Sequence, residues 1–211
     1  NVTHEFKTPI TIIKAYAELI GMYENDLSLI NDGTLNISKE CDRLATMVDK
    51  VLNLSALEKY DFETQKKEVN LKETFDEICA RIMGKIKKNN LTFKCNVENI
   101  IVTIDEESLR LIIINLIDNA IKYNRPNGSI DIECHKNGNK ITITVADTGI
   151  GICEEAMSKI FEPFYRVESH RSRETGGAGL GLALVKKLVE KQQGIINVDS
   201  KLNEGDRKSV V

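Results

Sequence analysis

Two long stretches near the amino end carry apolar residues at helical spacing. In the first stretch they recur every three or four positions, at Ile10, Ile13, Ala17 and Ile20. The second stretch has a similar stripe, formed by Ile37, Leu44, Met47, Val48, Val51 and Leu54. This period predicts one helix over about 4–23 and another over about 29–58, with a turn at 21–28. The first part of the chain is therefore predicted to be a helical hairpin.

The pattern changes to short alternating runs in the second part of the chain. Segments 91–97 and 100–104 are typical of short strands, and the run 141–145 alternates isoleucine or valine with threonine. Another strand is indicated by the alternating residues Ile130, Ile132 and Cys134. The loop 124–129 precedes that strand, and Asn137 with Gly138 predicts a tight hairpin after it.

One helical segment precedes these strands and another lies among them. Asn70 with Glu73 resembles a capping pair that opens a helix through Leu71, Phe75, Ile78 and Ile82. Asp105 is expected to cap the next helix. Together the patterns predict a mixed sheet with helices over one face, which is an α/β sandwich.

A polar segment without helical period separates the two parts of the chain. It runs from Tyr60 to Lys67. We therefore predict a helical domain at 1–60, a linker at 61–67 and an α/β domain at 68–211. The whole chain has 211 residues, which is enough for two modest cores.

The hairpin is expected to form a homodimer. Two helices with narrow apolar stripes cannot cover each other fully, so a second copy is the natural partner in a four-helix bundle. A monomeric hairpin that packs on the other domain is the alternative.

Composition narrows the functional classes. A net charge of −3 gives no nucleic-acid or membrane-surface signature. No apolar run reaches the length of about 18 residues that a membrane-spanning helix needs. The five cysteines are odd in number and lack metal-type pairs, so we expect reduced core thiols of a cytosolic domain: Cys41, Cys79, Cys95, Cys134 and Cys153.

Two glycine clusters carry the candidate chemistry. The first, VADTGIGI, places Gly149 and Gly151 directly after Asp147, a fixed acceptor at the end of a strand. The second, GGAGLGLALVKKLVE, places glycines just before a helical pattern. Because a helix N-terminus presents unpaired N–H groups, this arrangement suits a phosphate chain.

Two further blocks accompany the glycine clusters. In NLIDNAIKYN, Asn115, Asn119 and Lys122 lie three or four residues apart and share one helix face. The block IFEPFYRV lies between the glycine clusters and ends near Arg166. With THEFKTP at the start, these blocks resemble the H, N, first glycine, F and second glycine boxes of the sensor histidine kinases, in that order.

The resemblance implies a fold, ligands and residue roles. The fold would be the ATP-binding sandwich of the histidine kinases and gyrases, and the ligands ATP and Mg²⁺. Asp147 would accept from the adenine amino group, and Asn115 would ligate Mg²⁺ with Asn119 close by. Lys122 and Tyr123 would lie along the phosphate and ribose.

It also assigns the glycine boxes and the lid. Arg166 would reach the γ-phosphate, and residues 169–176 would form a flexible lid. Phe161, Phe164 and Tyr165 would anchor that lid by packing. The nucleotide-binding glycine boxes would comprise Gly149, Gly151, Gly177, Gly179, Leu180 and Gly181.

His4 would be the phosphoacceptor by the same resemblance. Glu5 is adjacent and would act as general base, and Thr8 would position water when the phosphorylated response regulator is hydrolysed. Pro9 removes a backbone donor and should loosen the helix at that point. The partner would be a response regulator receiver domain. We expect the chain to be the cytoplasmic part of a longer, membrane-bound sensor.

Two rival functions share the same motifs. Superfamily ATPases such as gyrase and heat-shock chaperones carry a glutamate where this chain has Asn115, and an amide cannot take a proton from water. The other rival is a pseudokinase that binds ATP as a dimeric scaffold without phosphoryl transfer. The carboxyl end departs from the family, because NEGDRKSVV stops where the last alternating strand should begin, which predicts a missing edge strand.

Overall fold

The computed structural model describes residues 2–23, 25–59, 65–138, 140–167 and 179–211. Its amino part is a hairpin of α1 (Val2–Met22) and α2 (Leu27–Lys59), which pack against each other. The predicted hairpin is confirmed, with a tighter connection than expected. Gly33 lies where the helices approach, since a Cβ there would come within 2.8 Å of Ile20 Cδ1.

Seven strands and four helices make up the rest of the described chain. The strands are β1 (Lys66–Asn70), β2 (Thr92–Val97), β3 (Ile101–Asp105), β4 (Ser129–Asn137), β5 (Lys140–Asp147), β6 (Ile196–Lys201) and β7 (Gly205–Val210). The helices are α3 (Leu71–Lys88), α4 (Glu106–Lys122), α5 (Glu154–Met157) and α6 (Gly181–Lys191). β1 begins at Lys66, inside the segment predicted as linker.

The main sheet is mixed, as predicted. Its strand order is β2-β4-β5-β7-β6, with β2 and β4 parallel and the other pairs antiparallel. The strands β1 and β3 form a separate antiparallel ribbon, which the alternating pattern did not indicate.

The prediction of a missing last strand was wrong. β7 lies inside the sheet between β5 and β6, so it is not an edge strand. Its sequence, GDRKSV, contains three consecutive charged residues, so the hydrophobic pattern did not reveal the strand. The position of β7 beside β5 turns out to matter for the candidate site.

Both predicted caps are present. Asn70 Oδ1 accepts from the backbone N–H groups of Lys72 and Glu73, and its amide donates to the Glu73 carboxylate at 2.9 Å. Asp105 Oδ1 accepts from the Ser108 N–H at 2.7 Å, which fixes the first turn of α4. Capping of this kind contributes about 1 kcal/mol for each helix.

The core lies between the sheet and the helices. Ile130, Ile132 and Cys134 of β4 are buried on one face, and the same apolar cluster includes the inner faces of α3, α4 and α6. Its fully enclosed side chains include Phe75, Ile113, Leu116, Ile117, Ile132, Leu184 and Val185. The helical hairpin joins this cluster through Met47 of α2, and α2 packs against α6.

The cysteine prediction was partly wrong. All five cysteines are free thiols, but only Cys134 is buried. Cys41 and Cys95 are exposed, the latter because β2 is the edge strand of the sheet.

Candidate nucleotide and phosphotransfer site

Four segments of the α/β domain meet at one place. They are the carboxyl end of α4, the end of β5, the first glycine cluster and the start of α6. The Ile150 N–H donates to the Tyr123 carbonyl at 3.0 Å, which ties the glycine cluster to α4. A Cβ at Gly181 would lie 3.2 Å from Asn115 Oδ1, which brings α6 against the same helix.

Asp147 is the last residue of β5 and is only 7 % exposed. Its Oδ1 accepts from the Gly149 N–H at 2.9 Å, which fixes the orientation of the carboxylate. Burial raises the pKa of Asp147, whereas the nearby Lys208 ammonium acts to lower that pKa. The result is a fixed and largely desolvated acceptor at the end of the strand.

A buried ion network that sequence reasoning missed lies beside Asp147. Lys208 Nζ is 3.6 Å from Asp147 Oδ2 and 2.7 Å from Asp206 Oδ2. The Ser200 hydroxyl also donates to Asp206 Oδ1. Lys208 is only 3 % exposed, because it lies opposite the buried Val145 of β5 and shares the inner face of the sheet. The sequence feature that could have indicated this network is the alternation of Asp206, Lys208 and Val210 after Gly205.

Replacing Lys208 with methionine should destabilise the domain. The change leaves the buried carboxylates of Asp206 and Asp147 without a cation, and breaking a buried pair in this way costs about 3–5 kcal/mol. Urea unfolding at neutral pH measures the loss, which should shrink in acid because a protonated carboxyl carries no charge. The double change Asp206→Asn with Lys208→Met is the matched control. The double variant should recover much of the stability. Equal losses of stability in both variants would show that Lys208 does not neutralise these carboxylates.

Asn115 and Asn119 face the first turn of α6. A Cβ at Gly181 would lie 3.2 Å from Asn115 Oδ1 and 3.7 Å from Asn119 Nδ2, so the two amides are brought together. Asn115 is 7 % exposed and its Nδ2 donates to the Leu111 carbonyl at 2.7 Å. The first turn of α6 covers this side chain. Its amide oxygen faces the helix start.

Lys122 and Tyr123 end α4 beside the first glycine cluster. Lys122 Nζ donates to the Tyr123 hydroxyl at 3.0 Å and lies 4.6 Å from the centre of its ring. A Cβ at Gly149 would come within 2.3 Å of the Tyr123 carbonyl oxygen. The backbone of the glycine cluster therefore runs directly against the end of α4.

Gly151 and Gly179 each require the left-handed backbone region. Gly151 has φ of +70°, and a Cβ there would meet the Lys201 carbonyl oxygen at 2.2 Å. Gly179 has φ of +67°, and its Cβ would meet the Tyr165 carbonyl oxygen at 2.6 Å. A side chain at either position would force these segments apart.

The aromatic block is joined to the second glycine box. The Phe164 N–H donates to the Gly179 carbonyl at 2.9 Å, and the Phe164 ring packs against the main apolar cluster. Phe161 lies under Lys186 of α6, with the ammonium 5.5 Å from the ring centre. These contacts join the block to the core and to α6, and its anchoring of the lid stays a prediction.

The remaining predicted nucleotide residues flank a segment outside the described residues. Arg166 is partly buried, close to the end of the segment described before the lid. Leu180 is 1 % exposed and precedes the first turn of α6, where its carbonyl accepts from the Leu184 N–H at 3.0 Å. Gly177 and the predicted lid at 169–176 lie outside the described residues.

The predicted phosphoacceptor lies in α1. His4 and Glu5 belong to this helix, and the structure describes their backbone but not their side chains. Thr8 is exposed one turn later, and Pro9 is buried inside the helix. Phe6 packs against the apolar cluster that the α/β domain shares with α2, so this turn of α1 lies beside that cluster.

Comparison with protein families matches both parts of the chain. A family described as histidine kinase-, DNA gyrase B-, and HSP90-like ATPase matches residues 104–211. A second, described as the His Kinase A (phospho-acceptor) domain, matches residues 1–59.

Several sensor proteins are similar over nearly the whole chain. It is 32% identical to "Sensor protein RprX" of Bacteroides fragilis over 98% of this chain and 41% of that protein. It is 34% identical to "Signal transduction histidine-protein kinase ArlS" of Staphylococcus haemolyticus over 97% of this chain and 45% of that protein. The chain thus spans less than half the length of these relatives.

Solved structures show the same architecture. Histidine kinase ThkA in complex with response regulator protein TrrA has a TM-score of 0.79 and 28% identity, covering 99% of this chain and 58% of that one. Acinetobacter baumannii histidine kinase AdeS has a TM-score of 0.77 and covers 98% of this chain and 95% of that one; at 22% identity it supports the fold alone. None of the helices in the described part of the chain has the length and apolar character to cross a membrane. With its phospho-acceptor hairpin followed by an ATPase-type sandwich, the chain belongs to the sensor histidine kinases.

Proposed function

We propose that this chain transfers the γ-phosphoryl group of ATP to His4 and then to an aspartate of a response regulator receiver domain. The observation that carries the proposal is the meeting of Asn115 and Asn119 with the start of α6, while the glycine cluster after the buried acceptor Asp147 contacts the end of the same α4 helix. The similarity to a histidine-protein kinase, and to the structure of ThkA in complex with a response regulator protein, supports it.

The site fits a nucleotide chemically. Asp147 is a fixed carboxylate acceptor that suits an exocyclic amino group such as that of adenine. The N–H groups in the first turn of α6 have no acceptor within the helix, so they suit phosphate oxygens. Lys122, Tyr123 and Arg166 complete the proposed contacts to ribose and phosphates.

Mg²⁺ fits the same place, since it prefers oxygen ligands and usually takes only one or two from the protein. Asn115 Oδ1 faces the helix start and would be that ligand, with Asn119 beside it. When bound, the ion would supply positive charge that neutralises phosphate oxygens.

The residues of α1 would carry the transfer. A neutral imidazole nitrogen of His4 forms the bond to phosphorus as the bond to the ADP oxygen breaks. Glu5 is placed next in sequence to accept the hydrogen bond of the other ring N–H as positive charge develops. We propose that Thr8 positions water when the phosphorylated regulator is hydrolysed.

The chain is proposed to act as a homodimer. Large apolar side chains of the hairpin are exposed in the single chain: Ile10, Leu19, Met22, Tyr23, Leu27, Leu35, Val48 and Leu52. A second hairpin would cover them in a four-helix bundle. Because the relatives are longer sensors, we infer that the chain works on the cytoplasmic side as part of such a sensor.

The fate of the labelled γ-phosphate distinguishes this function from the two alternatives, an ATPase and an ATP-binding scaffold. The chain is incubated with Mg²⁺ and [γ-³²P]ATP, and receiver domains are then added. Transfer requires label on the chain, which moves to a receiver domain. An ATPase would release labelled phosphate without labelled protein, and a scaffold would bind ATP without either product. Either of those results would overturn the proposal.

A further inference from the structure

Two cysteines from different elements meet at the edge of the main sheet. Cys79 lies on α3 and Cys95 lies on β2, and the Cys79 thiol donates a hydrogen bond to Cys95 Sγ at 3.5 Å. They are separated by 16 positions in the chain, so the contact depends on the packing of α3 against β2.

The fold directs both side chains to this contact. Phe93 and Val97 flank Cys95 at alternate positions of β2, and both pack into the apolar cluster, so Cys95 points to the same helix-covered face. Cys79 follows the buried Ile78 and lies at the border of the inner face of α3. The pairing is therefore built into the layer between helix and sheet.

The pair is open to small reagents. β2 is an edge strand, Cys95 is exposed and Cys79 is partly exposed. Cys134, in contrast, is buried within β4. An oxidant can therefore reach these two sulfur atoms without unfolding of the domain.

The two thiols differ in acidity. When Cys79 ionises, a hydrogen bond from the Cys95 thiol stabilises its thiolate, and this contact lowers the pKa of Cys79. The same contact raises the pKa of Cys95. A thiolate is the attacking species in disulfide exchange, so Cys79 is the expected nucleophile and Cys95 the resolving thiol.

We propose that Cys79 and Cys95 form a reversible disulfide, a redox-sensitive site on the ATP-binding domain that accepts small disulfides as oxidants. A bonded pair of sulfur atoms is about 2.05 Å apart, so closure needs an approach of about 1.5 Å. The proposal stands independently of the phosphotransfer function.

The exchange proceeds in two balanced steps. The Cys79 thiolate attacks a low-molecular-weight disulfide, forms a mixed disulfide and releases one small thiolate. Cys95 loses its proton to solvent and attacks the Cys79 sulfur, which releases the second small thiolate. Two protein thiols are oxidised by two electrons, and one small disulfide is reduced to two thiols.

Thiol counting after equilibration with glutathione tests this proposal. The chain is incubated in buffers from fully reduced to fully oxidised glutathione, quenched in acid, denatured and alkylated for intact mass. All five thiols should react in the reduced sample. Oxidation should leave three of the five thiols reactive. The chain should stay monomeric and give a crosslinked peptide that joins Cys79 and Cys95. Dithiothreitol should restore the reactivity of these two thiols.

Single variants separate the two roles. Cys95→Ser should stop at a glutathione adduct on Cys79, and Cys79→Ser should form no intramolecular disulfide. Cys153→Ser and Cys41→Ser are the matched controls and should still form the crosslink. The proposal is overturned if the unmodified chain keeps all its thiols or carries only glutathione adducts. It is equally overturned if a crosslink persists in the Cys79→Ser form.

Discussion

Asp147→Asn should weaken ATP binding by about 10- to 100-fold, with only a small change in folding stability. The carboxylate is fixed by the Gly149 N–H at 2.9 Å and is nearly buried, so its hydrogen bond to an adenine amino group would be formed away from water. A hydrogen bond to a charged group contributes about 1.5–3 kcal/mol, which corresponds to this loss. An amide is a weaker acceptor, and rotation would aim its NH₂ group at the adenine donor.

Calorimetric titration with ATP measures the effect, and urea unfolding checks the fold. Asp199→Asn is the matched control, because Asp199 is an exposed aspartate on β6. Its affinity should equal that of the unmodified chain. Affinity of the Asp147→Asn form within twofold of the unmodified chain would remove Asp147 from the adenine site.

Asn115→Ala should lower Mg²⁺-dependent phosphorylation by at least about 100-fold. Such a loss equals about 2.7 kcal/mol of transition-state stabilisation, within the range for a displaced metal ion. The side chain makes one hydrogen bond within its own helix, to the Leu111 carbonyl, so alanine should leave α4 intact. ATP binding measured without Mg²⁺ should change little.

Initial rates of label incorporation across a Mg²⁺ titration measure this loss. Asp118→Asn is the matched control, since Asp118 lies on the same helix and pairs with Lys85 at 2.9 Å instead of facing α6. If Asn115→Ala kept the full rate at the same Mg²⁺ requirement, the metal ligand would have to be another residue.

Much of the candidate site could be predicted from local sequence. The spacing of Asn115 and Asn119 places both on one face of any helix, and Asp147 follows a strand whose alternation is clear. The glycines mark positions where backbone angles or close contacts exclude a side chain, as at Gly151. These features depend on a few neighbouring residues, so they can be recognised without knowledge of the packing.

The features that were missed depend on sheet order. A lysine in a strand is usually exposed, and only the place of β7 between β5 and β6 buries Lys208 beside Asp147. Cys95 was predicted as a core thiol, yet β2 forms the sheet edge and leaves it exposed. The burial of Asn115 likewise depends on α6, which lies far along the chain.

The position of the phosphoryl group after incubation with ATP and Mg²⁺ shows whether His4 is the phosphoacceptor. The chain contains three histidines, His4, His135 and His170, and peptide mapping under neutral or alkaline conditions distinguishes them. Label should be confined to the His4 peptide, be lost in acid and survive alkali. The His4→Gln form should bind ATP normally and carry no label. Label on the peptide of another histidine, or label that persists in the His4→Gln form, would contradict the assignment of His4 as phosphoacceptor.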